Sequence, residues 1–178
     1  DVIEVGDSLG TLVRSGFFGR WVYNHLHLGF RTPEQNLQRA SGSLPIELET
    51  SVTGVRWNGV GTVTETGPTH VRLDSPAHDG RGFAALASDG GVPLDGGLPH
   101  YTGGGVLTED GGEITLLGTT VGDLEERAVT WRDVGVYANG RRATGISLFA
   151  SRGALGAKLV FHEGHSFAAD DRVRVAIE

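Results

Sequence analysis

Apolar and polar positions alternate most clearly in the last third of the chain. Val173, Val175 and Ile177 interleave with Arg172 and Arg174. A period of two puts the two sets on opposite faces of one strand, so residues 171–178 read as a half-buried closing strand. Upstream, Val129, Trp131, Val134 and Val136 precede Asn139-Gly140, and Ile146, Leu148 and Phe149 follow it. Asn-Gly between two such runs predicts a hairpin, because a type I′ turn needs positive φ at both central residues. A second hairpin is predicted from Leu148–Ala150 and Ala157–Phe161, around the small-residue loop 151–156.

Earlier in the chain, Leu44, Ile46 and Leu48 share one face of a predicted strand. Val52, Val55, Trp57, Val60 and Val63 predict a strand pair turning at a second Asn-Gly, Asn58-Gly59. Val71 and Leu73 mark a short strand, and Ile114, Leu116 and Leu117 another within 113–121. The segment 79–112 reads as one long loop of Gly, Asp and Pro, in which only Phe83–Ala87 and Val106-Leu107 are ordered by burial. Thr32-Pro33-Glu34-Gln35 predicts the start of one short helix over Pro33 to about Ala40, with Thr as N-cap, Pro at the first helical position and Gln closing a capping box. Val2, Ile3 and Val5 suit an edge strand. The aromatic stretch Leu12–Leu28 fits a helix or a strand equally by period.

Eight to ten short strands at regular spacing predict an all-β fold, a β-sandwich or jelly-roll-like domain with one short helix and a long Gly-rich loop. Residues 1–43 form an N-terminal arm or docking segment in this reading, and 44–178 the β-sandwich domain.

Composition narrows the partners. A net charge of −7 disfavours non-specific nucleic-acid binding, which needs clustered cations. Lys158 is the only lysine, so the other cations are arginines, which favour fixed, forked ion pairs. With no cysteine there is no disulfide framework, thiol nucleophile or thiolate zinc site. No run approaches the ~18 apolar residues of a membrane helix, so no membrane insertion is expected. The chain opens on Asp1 and contains no Met, which loss of an initiator Met or proteolytic trimming would explain. The 29 glycines shorten strands and lengthen turns.

Candidate chemistry is sparse. On a strand, His25 and His27 would project from one face, close enough to share a metal, with His70, His78 or His100 as a distant third ligand; the plain alternative is two histidines in an aromatic segment. His162-Glu163-Gly164-His165 lacks the one-turn spacing of a zinc-protease helix and reads as a turn. Asp74, Asp79, Glu109, Asp110 and Glu113 could supply a glycosidase pair, but acidic loop residues are usually turn formers. There is no nucleophile elbow and no phosphate-binding glycine loop, and no cofactor is expected. Trp21, Trp57 and Trp131 could stack sugars if exposed, although strand tryptophans pack into cores by default.

The C-terminal run Val129-Thr130-Trp131-Arg132-Asp133-Val134-Gly135-Val136-Tyr137, the turn Ala138-Asn139-Gly140, the strand Ala157-Lys158-Leu159-Val160-Phe161 and the closing Phe167–Ile177 together resemble the ending of many tailed-phage tail, baseplate or fibre proteins. Asp133 stands for the acidic residue that precedes the glycine in that pattern, and residues 147–155 lengthen it. The resemblance implies a non-enzymatic virion structural protein, a symmetric homo-oligomer contacting other virion proteins, with no catalytic residues to carry over. Phage fibres also use His-x-His pairs around a trimer axis to hold an iron-like ion, which the His25/His27 pair would suit. Phe17, Phe18, Trp21 and Tyr23 are the expected interface anchors, since symmetric oligomers bury such segments. Alternative expectations are a carbohydrate-binding β-sandwich that reads a host surface glycan, a capsid decoration protein and, more remotely, a His-metal enzyme.

Overall fold

A computed structural model describes residues 2–13, 19–26, 28–38, 42–44, 49–107 and 112–178. The chain divides into two compact units, Asp1–Leu48 and Glu49–Glu178.

The second unit is all-β, with fifteen strands among its described residues. They are β1 (Val52–Val55), β2 (Val60–Gly67), β3 (His70–Leu73), β4 (Phe83–Leu86), β5 (Leu94–Leu98), β6 (Gly103–Val106), β7 (Gly112–Leu116), β8 (Thr119–Glu125), β9 (Ala128–Trp131), β10 (Val136–Ala138), β11 (Arg141–Ala143), β12 (Gly145–Leu148), β13 (Ala150–Ser151), β14 (Lys158–Val160) and β15 (Arg172–Ile177). Twelve join one sheet in the order β11-β10-β15-β2-β3-β14-β12-β5-β6-β9-β8-β7, and β1-β4-β13 form a second, small sheet.

The large sheet curls around its own apolar face. The Thr119 hydroxyl at the start of β8 donates to the Ile177 carbonyl of β15 at 2.8 Å, although the two strands lie eight places apart in the sheet. Val63, Leu73, Leu98, Leu116, Val121, Ile146, Leu159 and Val173 meet inside as one fully buried cluster. β15 alternates as expected, with Val173, Val175 and Ile177 buried and Arg172 and Arg174 exposed. The Asn139-Gly140 hairpin also forms, with φ of 49° and 77° at the turn and Ala138 paired to Arg141. β12 and β14 pair antiparallel with Ile146 opposite Leu159, so a hairpin forms near the second expected place, but its first strand ends at Leu148, and Ala150 pairs instead with Ala85 in the small sheet.

Three expectations are corrected. Asn58-Gly59 is not a hairpin turn, because β1 and β2 belong to different sheets. Here the Asn58 side chain accepts from Val60 N–H at 3.1 Å, and the Gly59 carbonyl accepts from Val175 N–H at 2.6 Å. The pair thus hands the chain from one sheet to the other.

The long Gly-rich loop contains β4, β5 and β6, with Gly96 facing Gly104. Glycine normally weakens a strand. At Gly104 it is what the packing requires, because a Cβ would stand 2.3 Å from Trp131 Cζ2. The missing side chains make the slot for the indole.

No helix occurs among the described residues of 33–40. Half of the capping box is there: Gln35 Oε1 accepts from Thr32 N–H at 2.9 Å, while Gln35 N–H donates to the Thr32 backbone carbonyl at 3.1 Å rather than to its hydroxyl. It closes a turn that does not propagate, as expected for a short helix without an apolar face to dock.

The β7–β8 turn carries no glycine-first signature. Leu117 takes a φ of 52°, uncommon for a branched side chain, followed by Gly118 at 80°. Asp89, in the loop after β4, supports it. Its carboxylate accepts from Leu117 N–H at 3.0 Å and Gly118 N–H at 2.8 Å, and its own N–H donates to the Thr115 carbonyl at 2.8 Å. Asp89→Ala is expected to cost about 1–3 kcal/mol, the range for losing hydrogen bonds to a charged acceptor. Urea unfolding measures it, and a change within about 0.5 kcal/mol would show that the clamp is idle.

Candidate functional site

In the first unit the described site residues, Trp21, Tyr23 and His25, lie on a stretch without strand or helix. Val22 N–H donates to the Gly19 carbonyl at 3.0 Å, a turn that lays the Trp21 ring over Gly19, where a Cβ would be 2.4 Å from the indole. Trp21 is therefore half-buried, whereas Tyr23 is 48% exposed. His25 is exposed, with Nδ1 2.7 Å from the Tyr23 carbonyl. His27, Phe17 and Phe18 lie outside the described residues.

Residues 21–26 form no strand, so the strand alternation that would have aimed the two imidazoles together is not present there. Among the described residues no group of three or more His, Asp or Glu side chains is placed to hold a metal. Val2, Ile3 and Val5 form no strand either and stand exposed. Twelve of the fourteen large apolar side chains exposed among the described residues belong to this unit, Leu26, Leu28 and Phe30 among them.

The second unit gathers its titratable groups across strands. Pairing sets Glu65 (β2), Arg72 (β3), Lys158 (β14), Ser147 (β12) and Gly97 (β5) in one row on the face away from Val71, Leu159 and Ile146. The next row carries Gly67, His70, Val160 and Gly145. Glycines in both rows make room for imidazoles. A Cβ at Gly67 would be 2.4 Å from the His70 ring, and one at Gly145 2.3 Å from His100 Nδ1.

His70 Nε2 lies 3.6 Å from Glu65 Oε1, and His165 Nε2 lies 2.8 Å from the Gly67 carbonyl and 3.0 Å from that of His70. Arg72 reaches the carbonyls of Ala154 and Leu155 and covers the Phe149 ring at 5.8 Å. Burial, with Arg72 adding repulsion against the help of Glu65, lowers the Lys158 ammonium to about 8. Burial, partly offset by the Leu98 backbone, brings His100 down to about 4, and burial followed by Lys158 lowers His70. Such tuning is what an amine nucleophile or base requires. Yet Lys158 is only 6% exposed, which denies a substrate approach to the amine. Within the row Lys158 is the buried charge, with the exposed Glu65 at its outer end.

The other acidic candidates are engaged. Asp74 accepts from Thr62 N–H at 2.7 Å, and Asp79 accepts from Arg81 N–H at 2.9 Å. Glu113 and Asp123 grip Arg132 at 2.6 and 2.5 Å, which holds the Asp123 carboxyl below its usual range. Glu109 and Asp110 lie outside the described residues. Trp57 and Trp131 are core residues, 6% and 9% exposed, and cannot stack sugars.

Sequence reading missed the Lys158 layer because its members are spread over nearly 100 residues. His162 and His165 read as a turn, and only strand order brings His70 and His100 beside them. The isolated lysine in an arginine-rich chain was the one available signal.

Two family models match the chain. The DUF8155 C-terminal domain, a domain of unknown function, covers residues 53–178, and the DUF8155 N-terminal domain covers residues 1–48. The chain belongs to the DUF8155 family. No curated protein and no solved structure matches it. The two DUF8155 domains coincide with the two compact units of the structure, meeting where residues 49–52 lead into β1.

Proposed function

We propose that this DUF8155 protein is a non-enzymatic structural subunit that assembles as a symmetric homo-oligomer, with its N-terminal domain as the assembling part. One observation carries the reading. The large exposed apolar side chains of the described residues concentrate in residues 1–48, while the C-terminal domain exposes Phe83 and Tyr101 alone among them. Contiguous exposed apolar surface marks interaction sites, and closed oligomers cover it with copies of the same chain. The finer reading is a tail, baseplate or fibre component of a tailed phage, located in the virion and contacting other virion proteins. It rests on the resemblance of the C-terminal strand pattern, and the β10–β11 hairpin and the strand β15 that lie in that stretch are compatible with it.

Light scattering on the full chain tests the assembly. The mass is expected to be a multiple of 18.8 kDa. Replacing Leu26, Leu28 and Phe30 by Ser should return it to the monomer with the β-sheet circular dichroism intact. A monomeric parent, or an oligomer indifferent to the triple change, would overturn the reading. The same run with chelator bears on His25 and His27, since dissociation would place a metal at that pair. Antibodies raised to the C-terminal domain should decorate the tail, baseplate or fibre of purified particles, and decoration of the capsid shell would favour the decoration-protein alternative.

A further inference from the structure

The outward face of β11, β10 and β15 carries a site of a different kind. Pairing places Tyr137 between Arg142 of β11 and Ala176 of β15. Arg172 and Arg174 share that face of β15, four and two residues before Ala176. None of these three arginines has an ion pair among the described residues, unlike Arg132 with its two carboxylates. In a chain of net charge −7, three such guanidinium groups on one sheet face concentrate positive potential locally.

The geometry around Tyr137 is built. A Cβ at Gly135 would lie 2.7 Å from Tyr137 Cε2 and 3.0 Å from its Oη, so the ring lies back over a glycine and is held as a flat platform. Gly135 and Glu178 exchange two backbone hydrogen bonds of 2.7 and 3.0 Å, which fix that corner. Asn139 locks the other end: its amide donates to the Arg172 carbonyl at 2.9 Å and accepts from Arg174 N–H at 2.8 Å. Ala176, the smallest side chain on the row, leaves the floor open. The result is an open cleft of about 560 Å³ lined by Tyr137, Asn139, Gly140, Arg174, Ala176 and Glu178, a volume in the range of small-ligand sites.

We propose that this cleft binds an acidic saccharide. Each wall supplies one part of that recognition. The tyrosine ring offers an apolar body with a polar tip, which suits the C–H face of a pyranose and its hydroxyls. The Arg174 fork, with Arg142 across the ring, matches a carboxylate in two parallel hydrogen bonds. Glu178 accepts from sugar hydroxyls and repels a second anionic group at its end. A bare phosphate or sulfate would use the arginines but leave the ring and the glutamate without a role.

Titration calorimetry with the full chain tests this, using trigalacturonate and sialyllactose as acidic probes, lactose and carboxyl-reduced trigalacturonate as neutral ones, and sodium sulfate as the bare anion. At least one acidic probe is expected to bind saturably and the neutral and inorganic probes not to. Arg174→Ala should weaken that binding about 10- to 100-fold, the loss expected for hydrogen bonds to a charged group. Arg174→Lys should restore only part of it. Arg174 is exposed, so its variants keep the fold, and circular dichroism verifies that. Failure of both acidic probes, equal binding of sulfate, or indifference to Arg174→Ala would each overturn the site. The result is independent of the oligomer test, since the cleft lies within the C-terminal domain.

Discussion

Gly156→Ala is expected to be the most damaging single methyl group in the C-terminal domain. Gly156 sits at a φ of 63°, where an alanine pays ~1–2 kcal/mol for the left-handed backbone. Its Cβ would also fall 2.1 Å from the Leu73 carbonyl oxygen. That oxygen cannot swing aside, because it belongs to the end of β3, and the Leu73 N–H is tied to the Ala157 carbonyl at 2.8 Å. Gly156 N–H donates to Pro76 and Ala157 N–H to Ser75, at 3.1 and 2.7 Å, so the segment is stitched down on both sides of the intrusion. Overpacking against fixed atoms adds ~1–3 kcal/mol. The sum is about 2–5 kcal/mol, a large share of a typical domain's stability. A melting temperature lower by about 10 °C is expected for a chain of this size. Gly153→Ala, three residues away with open space around its Cβ position and an ordinary backbone, is the control and should change little. Equal melting of the two variants would show that the loop yields and the clash is not felt.

Acid is expected to weaken the fold through His100 at a pH where most carboxylates are still charged. Burial holds His100 neutral down to about 4, whereas in the unfolded chain it takes up a proton near its ordinary 6.5. Between those values the unfolded state binds more protons, so stability falls as pH drops from 6.5 toward 4. The gap corresponds to roughly 3 kcal/mol at the bottom of the window. His70, lowered by burial and by Lys158, acts with the same sign. The environment of His100 explains why it resists charging: its ring packs over Gly145 and against Tyr101 at 4.7 Å, with Lys158 and His162 adding positive repulsion. Urea unfolding of the parent and of His100→Gln at pH 7.5 and pH 4.5, followed by the fluorescence of buried Trp57 and Trp131, isolates the term. The parent should lose about 2–3 kcal/mol more than the variant over that interval. Equal losses would mean that His100 protonates freely in the folded protein.

The parts of the fold legible in the sequence were those written in local chemistry. Alternation along Arg172–Ile177 gave the faces of β15, and Asn139-Gly140 gave a turn with both residues at positive φ. Asn58-Gly59 carries the same dipeptide but turns no hairpin, because the strands beside it found other partners. The glycine tracts of 96–105 read as loop since glycine has no local preference to display. Their strand character comes from Trp131, more than twenty residues away, which needs the space they leave. The Leu117 turn was invisible for a similar reason, its support being Asp89 in another segment. The candidate binding features followed the same rule. Tyr137 and Arg142 face each other across the Asn139-Gly140 hairpin, but Arg174, more than thirty residues on, joins them only through the pairing of β10 with β15.

The way the chain enters the C-terminal domain has a mechanical consequence. Residues arriving from the N-terminal domain lead straight into β1, an outer strand of the three-stranded sheet, whose only strand partner among the described residues is β4, over four residue pairs. β15, by contrast, is clasped between β10 and β2 in the interior of the large sheet. Tension applied to residues 49–51 would therefore act first on one short parallel ladder. That ladder can part while the large sheet stays whole, lengthening the tether between the domains by as much as the freed strand extends. A subunit anchored by its N-terminal domain would thus carry a built-in slack, released by pulling and rewound when the pull ends.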